Sequence, residues 1–341
     1  MKIKKSMITF VVLLIVFIFH IGCESADSEK SIGPGNDSKD GKALELKAVT
    51  ALEENAPDNA GLFALIDKVN ELGEGKVHIE YLGGPEAVPK DQQPEALKNG
   101  SIDISWIPAN YMASLVPTAN AMQLSNMTGQ EERQNNVTDL WNDAFKQANS
   151  RFLLRGSSPN VKFHFYTTKP VESLEDFKGL QMRSSETYQD VLESLEAEPV
   201  SLNPDEIYTA LQRGTVDGYG WPGFGLEDFG WDELTEYMVD PGFYQFDIIG
   251  LMNLDAWDNL PDDVKDIFNE AAEEIEEQMV EYFDKLETEN RKKLKEQGAE
   301  IVELNEQDAD ELTKLARDTM WDKILKADKE FGSKIKSALE E

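Results

Sequence analysis

One cysteine, Cys23, occurs in 341 residues. A disulfide needs two thiols and a structural zinc cluster more, so neither framework is open to this chain. Histidine is almost as scarce: of three, only His78 and His164 lie beyond the first 22 residues. No histidine-rich metal site and no Ser-His-Asp arrangement at readable spacing can be assembled from them. Cations are outnumbered two to one, with 33 Lys plus Arg against 66 Asp plus Glu and a formal charge of −33. Nucleic-acid binding needs clustered Lys and Arg, so this balance argues against it. The acids are so many that any general acid and base nominated among them would be arbitrary. They read as a solvated surface suited to a salty medium, or as a face for a cationic partner. No metal, cofactor or catalytic residue is expected.

What remains is substantial. Hydrophobic residues make up 40% of the chain, enough for a packed core, and the length suits two ordinary domains or one large one. Lys2, Lys4 and Lys5 precede an apolar run over residues 7–21. That run is short for a membrane span, which needs roughly 20 apolar residues, and suits a signal segment over 1–22. The His20-Ile21-Gly22-Cys23 ending resembles a bacterial lipobox, although His20 stands where leucine is usual. A lipid on Cys23 is one reading, and an uncleaved anchor with Cys23 as a bystander thiol is the other. Both hold the rest of the chain outside the cytoplasm. Residues 23–43 are Ser, Asp, Gly and Lys with few apolar side chains, a composition that favours a flexible linker.

Order is expected from Leu44, with a strand in 44–50, a helix over 61–72 and a strand over 76–82. Residues 129–151 and 226–237 read as helices. The stretches 161–168 and 245–254 read as strands crossing between two lobes. Residues 261–297 hold one helical pattern without internal Pro or Gly. Its apolar stripe, Val264, Ile267, Phe268, Ala271, Ile275, Met279, Tyr282 and Phe283, has a 3.6-residue period, which favours a strut across two lobes over a coiled coil. An internal repeat supports two lobes: Ala96-Leu97-Lys98-Asn99-Gly100-Ser101-Ile102-Asp103 matches Ala210-Leu211-Gln212-Arg213-Gly214-Thr215-Val216-Asp217. Each copy sits at a helix-Gly-strand junction, so the strand ends near Trp106 to Tyr111 and Tyr219 to Trp221 should face one cleft.

The pattern centres on residues 178–222. Leu180 and Met182 alternate with Gln181 and Arg183 as in a strand. Asn203, Pro204 and Glu206 then form a helix start with a capping-box acid. The GLQMR strand followed by PDEIYTALQRGTVDG resembles the solute-binding subunit of tripartite ATP-independent periplasmic (TRAP) transporters, the dicarboxylate-receptor-like DctP family. GKVHIEYLGG, EALKNGSIDIS, KPVESLEDFKGLQMR and AWDNLPDDVKDIFNEAAEE extend the likeness over nearly the whole mature chain.

The resemblance implies a two-lobed α/β periplasmic-binding-protein-like fold (class II type) that clamps a small organic anion. It implies that Arg183, the arginine of the G-L-x-x-R strand, pairs with the ligand carboxylate. On spacing alone Arg183 could equally be a surface or salt-bridge arginine. The chain also departs from the family. Trp221 stands where asparagine is common in D-G-Q-E-N-P. Where sialic-acid-binding members carry arginine, acid and polar groups, this chain has Phe163, Pro108, Tyr111 and Phe243. The expected ligand contacts are therefore Arg183, Trp221, Tyr219, Tyr111, Phe163, Phe243 and Trp106, around a monocarboxylate with an apolar or aromatic body. The expected lobes are 44–160 plus 249–288 and 161–248 plus 289–330, with 331–341 an acidic tail; residues 306–341 read as a helix or two with a frayed acidic end. The expected partners are the small and large TRAP membrane subunits and, through the lipid, the membrane. A receptor feeding a sensor kinase and a secreted enzyme are the alternatives.

Overall fold

The computed structural model describes residues 43–340, so the leader, Cys23 and the linker lie outside them. Eleven strands occur among the described residues: β1 (Leu44–Thr50), β2 (Val77–Gly83), β3 (Ile104–Ile107), β4 (Ser150–Arg155), β5 (Phe163–Thr167), β6 (Gln181–Ser184), β7 (Glu198–Ser201), β8 (Gly218–Pro222), β9 (Tyr237–Asp240), β10 (Ile249–Asn253) and β11 (Glu300–Glu303). They form two sheets, in the orders β2-β1-β3-β10-β4 and β11-β9-β5-β8-β6-β7. The α-helices are α1 (Ala60–Leu72), α2 (Gln93–Lys98), α3 (Gly129–Gln134), α4 (Val137–Phe145), α5 (Gln189–Ser194), α6 (Pro204–Gln212), α7 (Leu254–Asp258), α8 (Asp262–Gln297), α9 (Glu306–Ala327) and α10 (Lys329–Glu340).

The internal repeat marks equivalent places in the two sheets. β1 pairs in parallel with β2 and β3, as β6 does with β7 and β8. Gly100 (φ +75°) and Gly214 (φ +65°) turn the chain out of α2 and α6, a backbone setting that glycine adopts without a Cβ penalty. The repeat ends on Asp103 and Asp217, and each bridges to the neighbouring parallel strand. Asp103 N donates to Lys47 O, and Lys47 N donates to Asp103 Oδ2 at 2.8 Å. Asp217 N donates to Gln181 O, and Gln181 N donates to Asp217 Oδ2 at 3.0 Å. The aspartate thus sets the register of the central strand in each lobe.

The lobes exchange strands. β10 lies antiparallel to β3 in the first sheet, and β5 antiparallel to β8 in the second. The chain therefore crosses at 156–162 and again at 241–248. These crossings run side by side, with a bridge between Lys162 and Gln245. Phe163 N donates to Tyr244 O at 2.7 Å and Phe246 N to Val161 O at 2.8 Å.

Helix α8 is the strut expected of residues 261–297. Its 36 residues span about 54 Å at 1.5 Å each, and Gly298 at φ +98° ends it. Val264, Ile267, Phe268, Ala271, Ile275, Met279 and Phe283 are buried on one face. Ion pairs pin it to both lobes. Glu276, 1% exposed, accepts from Arg133 Nε at 2.7 Å, Arg133 Nη2 at 3.0 Å and Arg155 N at 3.0 Å in the first lobe. Arg291 donates to both Asp240 carboxylate oxygens, at 2.6 and 3.0 Å, in the second. Between these pins Asp284 accepts from Ser158 Oγ and Asn160 Nδ2 of the first crossing. Removing Arg133 would strand the charge of the buried Glu276 at a cost of about 3–5 kcal/mol, whereas the partly exposed Arg291–Asp240 pair is worth less.

Three expectations need correction. The single helix over 129–151 is two helices, parted at Asn135 and at Asn136 in a left-handed conformation (φ 59°), and Ser150 belongs to β4. The helix over 226–237 is a pair of single 3-10 turns, Glu227–Phe229 and Trp231–Glu233, divided by Gly230 at φ +68°. Residues 306–340 are two helices as expected, α9 and α10, but the acidic end is not frayed: α10 buries Gly332 and Ile335 against the rest of the fold.

Candidate functional site

β6 and β8 are adjacent parallel strands, and the site lies at their carboxyl ends. Met182 faces the core at 0% exposure, and Arg183, next along the strand, is 5% exposed. A buried guanidinium needs partners, and it has two within the lobe. Arg183 Nε donates to Leu202 O at 3.0 Å, and Nη1 donates to Tyr188 Oη at 2.7 Å. Among the described residues Nη2 has no hydrogen-bond partner. One Nη1 proton and both Nη2 protons, the edge that matches a carboxylate in a two-bond fork, are thus uncommitted.

Trp221, half-buried on β8, places its ring centroid 5.9 Å from Arg183 Cζ. Its other edges meet Trp231 at 4.8 Å and the exposed Phe229 at 5.7 Å. Tyr188 continues the wall on the opposite side. Its ring lies 6.2 Å from Phe163, and 6.0 Å from Phe243. Phe163 and Phe243 are themselves 6.3 Å apart, and Phe243 stacks on Phe165 at 4.4 Å. Arg183, Trp221, Phe163 and Phe243 are therefore gathered in one region, around Tyr188. Tyr111 sits on the facing first-lobe segment, half-buried, with Lys90 Nζ 5.7 Å from its ring. Its neighbour Asn110 reaches Thr187 of the second lobe at 3.5 Å.

Two expected contacts lie elsewhere. Trp106 is fully buried in the first-lobe core. Its Nε1 donates to Asp58 O at 2.8 Å, and Gly61, Gly156 and Gly250 leave room for its rings. Tyr219 is 1% exposed and stacks on Tyr166 at 5.2 Å, with its hydroxyl on Thr235 Oγ1 at 2.7 Å. Tyr219 shares its face of β8 with Trp221 but packs deeper, against Tyr166 and Trp231 in the second-lobe core, where burial pushes its phenol far up.

Tyr188 went unnoticed in the sequence, because S-S-E-T-Y after β6 has no periodicity to reveal which way it turns. Glycine was the available signal. A Cβ on Gly220 would meet the Tyr188 ring at 2.8 Å, so a glycine in the middle of a strand marks a close approach. Burial raises the Tyr188 phenol, against the opposing pull of the Arg183 guanidinium. The phenol beside Arg183 therefore stays neutral and does not consume its charge. At the base of β8, burial pushes the Asp217 carboxyl up, but the Lys169 ammonium at 2.6 Å and the Gln181 amide prevail and hold it below its ordinary range. Among the described residues no group of three or more His, Cys, Asp or Glu is placed to hold a metal ion. No described helix is long and apolar enough to cross a membrane.

A family model described as bacterial extracellular solute-binding protein, family 7 (DctP), matches residues 48–328. A monocarboxylate 2-oxoacid-binding periplasmic protein of Nostoc sp. is 26% identical over 266 residues, covering 72% of this chain and 71% of its own. Among solved structures, a TRAP periplasmic solute-binding protein from Ochrobactrum anthropi superposes with a TM-score of 0.75 at 21% identity, over 88% of this chain and 96% of that one. Another from Desulfovibrio salexigens, with bound orotic acid, gives 0.75 at 19% identity, over 87% and 97%. These likenesses agree with the two-lobed fold.

Proposed function

The chain belongs to family 7 of the bacterial extracellular solute-binding proteins, and from that premise we propose that it captures one small organic acid by pairing the acid's carboxylate with Arg183. It is an extracytoplasmic solute-binding receptor of the TRAP type and not an enzyme. The observation that carries the Arg183 reading is the uncommitted Nη1–Nη2 edge of a guanidinium that is only 5% exposed. The division into lobes at 44–160 plus 249–288 and 161–248 plus 289–330 is part of the same reading, supported by sheet membership. So are delivery to the small and large TRAP membrane subunits and a lipid anchor on Cys23.

The ligand is a monocarboxylate with an apolar or aromatic body. Phe163, Tyr188, Trp221 and Phe243 offer ring surface around Arg183. Apolar area buried there gains about 25 cal/mol per Å², whereas a second carboxylate left unpaired costs several kcal/mol. The Nostoc relative, a monocarboxylate 2-oxoacid-binding periplasmic protein, supports the same class. One observation favours a second reading. Lys90, over Tyr111 on the facing wall, makes no ion pair among the described residues and offers a cation to a second acid group.

A thermal-shift screen of organic acids separates the two. Branched or aromatic 2-oxo acids should give the largest shift. A largest shift from succinate, malate or a sialic acid would sink the monocarboxylate reading while leaving Arg183 as the clamp.

A further inference from the structure

Tyr188 enters the fold from the loop 185–188 that follows β6, and it is 1% exposed. Its ring is held on three sides by Phe163, Phe165 and Phe243, and Gly220 closes the fourth with no side chain to displace it. The ring therefore has one setting. The hydroxyl has a single proton, and it donates that proton to Gly220 O at 2.8 Å. Its lone pairs are left to accept from Arg183 Nη1 at 2.7 Å. The direction of both bonds is fixed by this accounting.

A guanidinium on a flexible stem loses rotamer freedom when it engages a ligand. Here Leu202 O holds Nε and Tyr188 Oη holds Nη1, so two of its three nitrogens are set before any ligand arrives. The same loop carries Thr187, whose hydroxyl faces Asn110 of the first lobe at 3.5 Å. One four-residue segment thus touches the clamp at Tyr188 and the opposite wall at the adjacent Thr187.

We propose that Tyr188 is the positioning residue for the Arg183 clamp: its hydroxyl presets the guanidinium with the Nη1–Nη2 edge free, and its loop ties that setting to the opposite lobe through Thr187. The inference rests on the reading of Arg183 as the carboxylate partner. Tyr188 itself need not touch the solute. Loss of the hydroxyl should cost affinity only through Arg183, because the ring that walls the seat is retained in Tyr188→Phe.

The test has a ligand-free arm and a ligand arm. In ¹⁵N-labelled protein without ligand, the Arg183 Nη protons should give separate signals in the wild type and averaged ones in Tyr188→Phe, as rotation about Cζ–Nη1 is released. Unchanged Arg183 signals in Tyr188→Phe would overturn the positioning role, and this arm decides alone if the probe does not bind. In the ligand arm, calorimetry with 4-methyl-2-oxopentanoate compares wild type, Tyr188→Phe, Arg183→Lys and the double variant. Tyr188→Phe should weaken binding about tenfold in the wild-type background and less than about threefold beside Arg183→Lys. Equal losses in both backgrounds would mean that Tyr188 only packs. If Arg183→Ala leaves the probe's affinity intact, the clamp reading fails, while the ligand-free arm still reports on Tyr188. Should Tyr188→Phe fold poorly, 3-fluorotyrosine at position 188 weakens the acceptor, keeps the ring, and should give the same partial averaging.

Discussion

Truncation of Arg183 to alanine tests the clamp at its centre, and the structure allows its two consequences to be kept apart. The first falls on the ligand. A carboxylate buried against Phe163, Trp221 and Tyr188 without a cation loses its only charged partner in that seat, at about 2–5 kcal/mol. At 1.4 kcal/mol per decade that is roughly 30-fold in affinity or more. The second falls on the protein itself. Leu202 O and Tyr188 Oη each lose a donor, and stranded buried acceptors cost about 1–3 kcal/mol each. Arg183→Ala should therefore also melt several degrees lower. A thermal shift alone would confuse the two effects. Isothermal calorimetry well below the melting temperature, on protein shown to be folded, reads the first without the second. Arg183→Lys should recover only part of the affinity, since an ammonium cannot reproduce the two-bond fork. If Arg183→Ala binds the strongest acid from the screen within threefold of the wild type, the carboxylate is held elsewhere and the reasoning fails.

Two other perturbations probe the scaffold and its anchor. Burial lifts the Asp58 carboxyl to about 7, opposed by its own backbone amide and assisted by the Asp228 carboxylate. A raised native value means that the folded state holds more protons than the unfolded one between about pH 4 and 7. Stability should then fall as pH rises through that window, and Asp58→Asn should flatten the fall and melt a few degrees higher at pH 8; superimposable melting curves for the two proteins from pH 4.5 to 8 would refute it. Cys23→Ser should abolish incorporation of a fatty-acid label, and label persisting on that variant would remove the lipid anchor from the account.

Much of the fold was legible because it is written in strong periodic signals. The apolar stripe of α8 and the capping box of α6, in which Asn203 N donates to Glu206 Oε2 at 2.9 Å, are local features that survive in the folded chain. The repeat with its glycine and terminal aspartate carried the pairing of the lobes for the same reason. The elements that went unread are short, and none shows a polar alternation long enough to read. β4 has no polar alternation to show, because Phe152, Leu153, Leu154 and Arg155 are all buried, and its arginine is inside only because Glu132 pairs with it at 2.6 Å. β9 and β11 are four residues each and exist through non-local pairing, β9 between β5 and β11, and β11 on β9 alone. The site was legible in part. Arg183 and Trp221 follow from one strand pair, but which aromatics face the seat depends on tertiary contacts. Trp106 and Tyr219 share strand ends with cleft residues, yet close approaches at Gly61, Gly156 and Tyr166 take them into the cores.

The pinning of α8 has a kinematic consequence. Glu276 and Arg291 fasten it to different lobes fifteen residues apart, about 22 Å along the axis, and Asp284 between them holds the first crossing. With the two crossings bonded side by side, the lobes share a pivot and have little freedom to slide. Motion between them should then be mainly a change of one angle, about a fulcrum near Asp284. The gap between Arg183 and the wall that carries Tyr111 is then a chord of that angle. A solute shorter than the chord leaves the jaws unsupported at their rim, and a longer one props them apart, with the error magnified by leverage toward the outer surface.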